Sequence, residues 1–198
     1  MNIDIVYLWV DGGDKKWRKQ RDFWYDKINH RTIKDANNLS DSLYRDNGEL
    51  KYSLRSIAEC VPWVNHIYII TGFNQIPAWL NKKNPKITII PHEQIMLKDA
   101  LPTFNSNSIE MCISNIKNLS EHFLLMNDDT FFNKPVNPDF FFDKHGRAIV
   151  LYNKQKHVKH DIQKWLKDSD NYTCTLILSA LKIKEIFNKD MLYIRPSY

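Results

Sequence analysis

Phe123-Leu124-Leu125-Met126-Asn127-Asp128-Asp129 runs from an unbroken apolar stretch straight into two adjacent carboxylates. An apolar run of this length, bounded by polar residues, reads as a buried strand. Strands of open α/β sheets deliver their C-terminal ends into the ligand crevice. Asp128 and Asp129 are therefore expected at the rim of a sheet. Neighbouring carboxylates repel unless a cation, a hydrogen-bond network or a proton offsets the repulsion. A divalent cation holding a diphosphate meets that need, and hard oxygen ligands suit Mg²⁺ or Mn²⁺. Upstream, Asn105-Ser106-Asn107-Ser108-Ile109-Glu110 gathers polar groups at a helix start.

Working outward, the other elements alternate. Ile3–Val10 reads as a strand, closed by the turn Asp11-Gly12-Gly13-Asp14. Residues 15–29, rich in charge and aromatics, read as a helix, and residues 32–44 as a loop. Asp46 is expected to cap the next helix, with Glu49 three residues later in the manner of a capping box. Leu50, Leu54, Ile57 and Val61 give that helix one apolar face, and Pro62 ends it. His66–Thr71 and Lys86–Pro91 read as strands, with a helical turn at Pro77–Leu80 between them. Ser106 or Asn107 is expected to cap a helix whose core face is Ile109, Cys112, Ile113 and Ile116. This order predicts an α/β fold: a mostly parallel sheet with flanking helices on both faces and right-handed crossovers. Past Pro138, residues 139–142 and 148–152 suggest short strands, and 161–166 and 175–187 suggest helices. The length, 198 residues, fits a single domain spanning 1–198.

Composition narrows the classes. The hydrophobic fraction of 43% supports a core, but no run reaches the roughly 18 apolar residues that span a bilayer. Met1-Asn2-Ile3-Asp4-Ile5-Val6 lacks the basic region and long apolar segment of a signal peptide. A cytoplasmic address is the expectation, compatible with peripheral association at the inner face of a membrane. Cys60, Cys112 and Cys174 are widely spaced and odd in number, against a disulfide framework or a zinc site. Cys60 and Cys112 sit among apolar residues of predicted helices and read as buried thiols. The net charge of +5 suits anionic ligands without choosing among them. The lysines are dispersed, so nucleic acid is not an expected partner.

Each candidate site residue has a plain structural reading beside its functional one. Asp128 and Asp129 could ligate a metal, or be solvated turn residues with Asp129 capping a helix. Asp11 could hydrogen-bond a nucleoside or reach the metal, and Asp14 could bind substrate, yet Asp-Gly-Gly-Asp forms an Asx turn in any case. Arg55 lies off the apolar stripe of its helix; a guanidinium suits a diphosphate, but Glu59 at i+4 offers an ion pair. Asn105 and Asn107 could read sugar hydroxyls beside Glu110, or Asn107 and Glu110 could form a capping box. His92 could serve acid–base chemistry or be structural. His157 and His160 lie in a charged stretch, and Trp9, Trp63 and Trp79 read as core or as sugar-stacking surface.

Together these strings resemble the Stealth family. The likeness rests on Ile5-Val6-Tyr7-Leu8-Trp9-Val10-Asp11-Gly12, on Asp46 through Ile57, and on Pro62-Trp63-Val64. It continues through Ile67-Tyr68-Ile69-Ile70-Thr71, Gln75 to Leu80, Leu101 to Asn107, and Asn127-Asp128-Asp129. The resemblance covers about residues 3–142. It implies a sheet of the GT-A nucleotide-sugar-transferase kind and the activity of capsular polysaccharide phosphotransferases; the animal GlcNAc-1-phosphotransferase is similar. That activity is transfer of a sugar 1-phosphate from a UDP-sugar, such as UDP-GlcNAc, to a glycan hydroxyl, with release of UMP. On this resemblance Asp128 and Asp129 hold Mg²⁺ or Mn²⁺ and Arg55 neutralises phosphate oxygens. Asp11 orients the nucleotide, and Asn105, Asn107 and Glu110 contact the sugar or support the site. The resemblance also implies later blocks contributing a histidine and an arginine. His157, His160 and Arg195 are the late candidates for these roles, in surroundings that do not match well. The alternatives are a glycosyltransferase of the same fold releasing UDP, and a donor-binding fragment without turnover.

Overall fold

The computed structural model describes residues 1–29, 44–150, 152–154, 166–167, 171–188 and 194–196. It divides into two compact units, Met1–Phe140 and Phe141–Tyr198.

The first unit is built on β1 (Ile3–Leu8), β2 (Ile67–Thr71), β3 (Ile87–Pro91) and β4 (His122–Asn127). These form one sheet in the order β3-β2-β1-β4. Every pairing is parallel, with Ile5 opposite both Ile67 and Leu124. Parallel neighbours need crossover connections. In the β1–β2 connection lie α1 (Lys15–Asn29) and α2 (Glu49–Cys60), and in the β3–β4 connection α3 (His92–Ile95) and α4 (Ser106–Glu110), while β2 passes to β3 through residues 72–86 without a helix. The fold is thus α/β with flanking helices, consistent with the nucleotide-sugar-transferase kind of sheet.

Alternate Cβ atoms of a strand point to opposite faces, and the core divides accordingly. Ile5, Tyr7, Trp9, Ile67 and Ile69 meet Leu50, Ile57 and Cys60 of α2 on one face. Val6, Tyr68, Ile70 and Ile90 meet Ile95, Ile109, Ile113 and Ile116 on the other. Asp4 is the polar exception within β1. It is fully buried, and its oxygens accept from Asn65 Nδ2 at 2.8 Å and Ser120 N at 2.7 Å.

Local chemistry moves several boundaries. The predicted helical turn at Pro77–Leu80 is a single turn, with Leu80 N donating to Pro77 O at 3.0 Å. Helix α2 is capped by Gly48, whose φ of 88° lies in the left-handed region open to glycine. The expected capping box at Asp46 does not form. Asp46 Oδ1 takes the nearer Gly48 N at 2.8 Å, and Glu49 turns back to Asn47 N at 2.6 Å. Asx turns compete with caps for the same donors. Asn105, not Ser106 or Asn107, caps α4, its side chain accepting from Asn107 N at 3.0 Å. Helix α4 stops at Glu110, so Cys112 is half-buried at the start of a 3₁₀ turn, Ile113–Asn115.

In the second unit Phe142 bridges Ala148 in antiparallel fashion around a turn held by Asp143 and Arg147, an ion pair at 2.7 Å. Strands β5 (Tyr152–Lys154) and β6 (Ile194–Pro196) pair antiparallel, and α5 spans Asn171–Phe187. The expected loop at 32–43, most of the expected helix at 161–166, and both His157 and His160 lie outside the described residues. Among the described residues no helix is long and apolar enough to cross a membrane.

Candidate active site

A cavity of about 390 Å³ opens at the C-terminal ends of β1, β2 and β4. Its floor includes Leu8, Ile70 and Met126. This is where an open parallel sheet binds ligands, since its loops diverge there.

One wall is aromatic. Trp17 lies 5.0 Å from Tyr44 and 5.5 Å, edge-on, from Phe104, between ring centroids. All three line the cavity. Arg21, buried and paired with Asp22 at 2.9 Å, places its guanidinium 5.4 Å above Trp17 and 5.6 Å above Tyr44. Burial pushes the Tyr44 hydroxyl up, and Arg21 partly opposes the shift. The turn after β1 reaches this wall directly: Gly12 N donates to Tyr44 O at 2.8 Å. The sequence reading assigned no face to α1 and missed this wall. The available signal was Trp17 between cationic residues, next to a turn at a strand end.

Asp128 and Glu110 line the same cavity. Burial, reinforced by the charge of Asp129 and more weakly by Asp46 and Glu49, pushes the Asp128 carboxyl up to about 6. Helix α2 fixes the turn that holds it. Ser53 Oγ donates to Thr130 O at 2.6 Å, and Tyr7, 2.6 Å from Ser53 Oγ, donates to it in turn. Farther along, Ser56 Oγ accepts from Phe132 N at 3.0 Å, and Trp63 Nε1 donates to Val136 O at 2.6 Å. His92 lines the same cavity. Burial lowers its pKa, with Glu93 opposing, which favours the neutral imidazole.

A raised carboxyl pKa fixes the sign of a pH effect. Below the unfolded value of 3.8, Asp128 is protonated in both states and costs nothing. Between 3.8 and about 6 the unfolded chain loses its proton first, so stability falls as pH rises. Asp128→Asn removes that penalty. In EDTA its Tm relative to the parent is expected to climb between pH 4 and 6.5. A difference constant across that range would contradict the assignment.

The remaining candidates are placed as follows. Asp129 is exposed, beside Asp128. The Asx-turn reading describes the Asp11 carboxylate, whose Oδ1 accepts from Gly13 N at 2.8 Å. Gln75 clasps the Asp11 backbone at 3.0 and 2.9 Å. Asp14 Oδ1 accepts from Lys16 N and Trp17 N at 2.7 and 2.9 Å, which caps α1. Asn105 and Asn107 are exposed, and the cap bond between them replaces the expected Asn107–Glu110 box. Arg55 is not brought to Asp128. It lines a second cavity, with its guanidinium 5.6 Å over Tyr52 rather than against Glu59. Trp79 lines that second cavity too. Trp9 is core, and its buried Nε1 finds no partner among the described residues. Arg195 lies in β6 of the second unit.

Among the described residues no three His, Cys, Asp or Glu side chains converge as a metal cage. Asp128 and Glu110 line the cavity, whereas Asp129, next to Asp128 in the chain, is exposed and outside its lining. One or two carboxylates are what Mg²⁺ uses when phosphate and water fill its other positions.

Comparison with known proteins follows the same lines. Residues 1–27 match the model of Stealth protein conserved region 1, and residues 43–150 that of conserved region 2. An exopolysaccharide phosphotransferase of Lactiplantibacillus plantarum is 41% identical over 188 residues, covering 95% of this chain and 50% of that protein. A capsular polysaccharide phosphotransferase of Neisseria meningitidis is 41% identical over 153 residues, 75% of this chain and 40% of its own length. A receptor polysaccharide phosphotransferase of Streptococcus gordonii is 41% identical over 144 residues, 73% and 42% respectively. The chain spans half or less of the length of these relatives. Two region models in their proper order, together with identity of this extent, show that the chain belongs to the Stealth family.

Proposed function

We propose that the cavity binds a UDP-sugar with Mg²⁺ or Mn²⁺, and that the chain serves transfer of a sugar 1-phosphate to a glycan hydroxyl in capsule or surface polysaccharide synthesis. The observation that carries this reading is Asp128: a half-buried carboxyl held at a raised pKa, at a sheet rim, facing a cavity with an aromatic wall. The relatives' names as polysaccharide phosphotransferases support the reaction class.

The step exchanges one P–O bond for another. The acceptor oxygen bonds to the β-phosphorus, the bond from that phosphorus to the bridging oxygen breaks, and UMP leaves with the bond's electron pair. The acceptor's proton passes to a base, and the sugar–oxygen bond stays intact. Phosphoryl transfer of this kind is mostly positioning and charge neutralisation. A bound cation supplies the neutralisation, and Asp128 and Asp129 are the residues that would hold it. Tyr44 and Phe104, both partly exposed, can offer ring faces to a nucleobase or sugar, and the buried Trp17 braces them from behind. Glu110 can accept from a sugar hydroxyl. His92, on the same cavity, carries an imidazole able to accept the acceptor's proton.

The test is incubation with UDP-GlcNAc, Mn²⁺ and a glycan acceptor, followed by nucleotide analysis. UMP is the expected product, and EDTA should abolish its release. Release of UDP would make the chain a glycosyltransferase. Binding without either product would make it a donor-binding fragment.

A further inference from the structure

The second cavity, about 450 Å³, lies between α2 and the segment leading into β3. Its charged lining is Lys51, Arg55 and Lys86, with no carboxylate among its lining residues. The first cavity is the reverse, lined by Glu110 and Asp128 with no lysine or arginine. The floor of the second cavity is apolar, from Leu54, Ile57 and Ile87, and Trp79 stands at its side, 36% exposed.

We propose that this groove is an acceptor subsite that takes a glycan carrying phosphodiester charge. The inference rests on the function proposed above, because the reaction itself supplies the charge. Each transferred sugar 1-phosphate leaves one anionic diester in the product. A chain extended by earlier rounds presents such diesters behind the hydroxyl that reacts next.

The groove has the parts such a chain needs. Sugar rings pack their C–H faces on indoles, and Trp79 offers one beside an apolar floor. Asn81 and Asn84 spend their amide oxygens on Asx turns to Lys83 N and Lys86 N, at 3.1 and 3.0 Å. Their NH₂ groups remain as donors for hydroxyl or phosphate oxygens. Lys86 Nζ gives one proton to Val64 O at 3.1 Å and keeps two. The Arg55 guanidinium is a planar fork suited to a diester. Its position also suits an acceptor. Ser53 Oγ of α2 donates to Thr130 O in the turn that carries Asp128. Arg55 follows Ser53 by two residues on the same helix, about 3 Å along the axis at the α-helical rise, and lines the second cavity while Asp128 lines the first.

The test is calorimetric titration of this chain with a phosphodiester-linked trisaccharide, its neutral glycosidic counterpart, and a single-stranded oligonucleotide of matched charge. The diester glycan is expected to bind at least about tenfold more tightly than either other ligand, as charge and stacking act together. Trp79→Ala and Lys51→Gln should each weaken it several-fold, while Trp79→Phe restores most of the loss and separates stacking from folding. UDP-GlcNAc–Mn²⁺ affinity should stay within about twofold in all three, since the donor site is elsewhere. Equal binding of the neutral glycan or the oligonucleotide, or no effect of Trp79→Ala and Lys51→Gln, overturns the subsite. Failure of UDP-GlcNAc–Mn²⁺ to bind while the diester pattern holds overturns the donor reading and leaves the groove standing.

Discussion

Asp128→Asn combined with Asp129→Asn is expected to weaken Mn²⁺-dependent binding of UDP-GlcNAc by about a hundredfold or more, which is about 2.7 kcal/mol. The fold should survive. Both side chains sit beyond the end of β4, outside the two hydrophobic clusters. The turn that carries them is tied to α2 through Thr130 O and Phe132 N, neither of which uses a carboxylate. Asparagine keeps the shape and a carbonyl oxygen but removes the negative charge that a hard cation requires. The same substitution removes the burial penalty on the charged form and, after it, the repulsion from Asp129, which together raise the Asp128 pKa. At pH 7 the double variant should therefore melt no lower than its parent while binding donor far more weakly. Opposed movements of stability and affinity are hard to obtain from a merely structural pair. Calorimetry with and without EDTA, beside thermal melts, reads both. Unchanged affinity would remove the cation from Asp128 and Asp129.

The sheet was legible because its strands are short apolar runs. Strands β1 and β2 are buried on both faces, while the edge strands β3 and β4, which the sequence alone reads as equally buried, are only half-buried, with Leu125 exposed. Ile67–Thr71 and Ile87–Pro91 are rich in isoleucine, and their ends are marked by Gly72 and by Pro91 before a short helix. Asp128 was legible for the same reason, since a charge directly after an apolar run falls at the sheet's rim. What escaped depends on competition or on distance in the chain. The caps of α2 and α4 moved because Asp46 and Asn105 reach the amide two residues ahead before any amide farther on. The aromatic wall joins Trp17, Tyr44 and Phe104, which no periodicity links. Arg55 could be read as lying off the apolar stripe. Which surface it then meets depends on Trp79 and Asn81, which pack beside α2 only in the folded chain.

Gly12→Ala carries the second large expected effect. The new Cβ would lie 2.6 Å from Tyr44 Cβ and 2.8 Å from Tyr44 C, and closer still to Tyr44 O. These are backbone and Cβ atoms, which cannot swing aside like the tip of a side chain. The turn cannot retreat either, because Arg18 Nε and Nη2 grip Gly12 O at 3.2 and 3.0 Å. Either those bonds yield, or the Gly12 N–Tyr44 O bond breaks and Tyr44 leaves the cavity wall. Overpacking of this kind costs about 1–3 kcal/mol, and loss of a stacking face adds about tenfold in donor affinity. Gly48→Ala is the contrast. Nothing lies within 4 Å of its added Cβ, but its φ is +88°, so it should lose about 1–2 kcal/mol of stability through backbone strain alone. Donor affinity should follow Gly12 and not Gly48 when both variants are titrated at equal folded fraction. If Gly12→Ala matches its parent in melting and in donor binding, Tyr44 does not depend on this contact and the aromatic wall is not held from the β1 turn. If it melts lower yet binds donor normally once folded, the contact serves the fold alone, and the donor's ring does not rest on Tyr44.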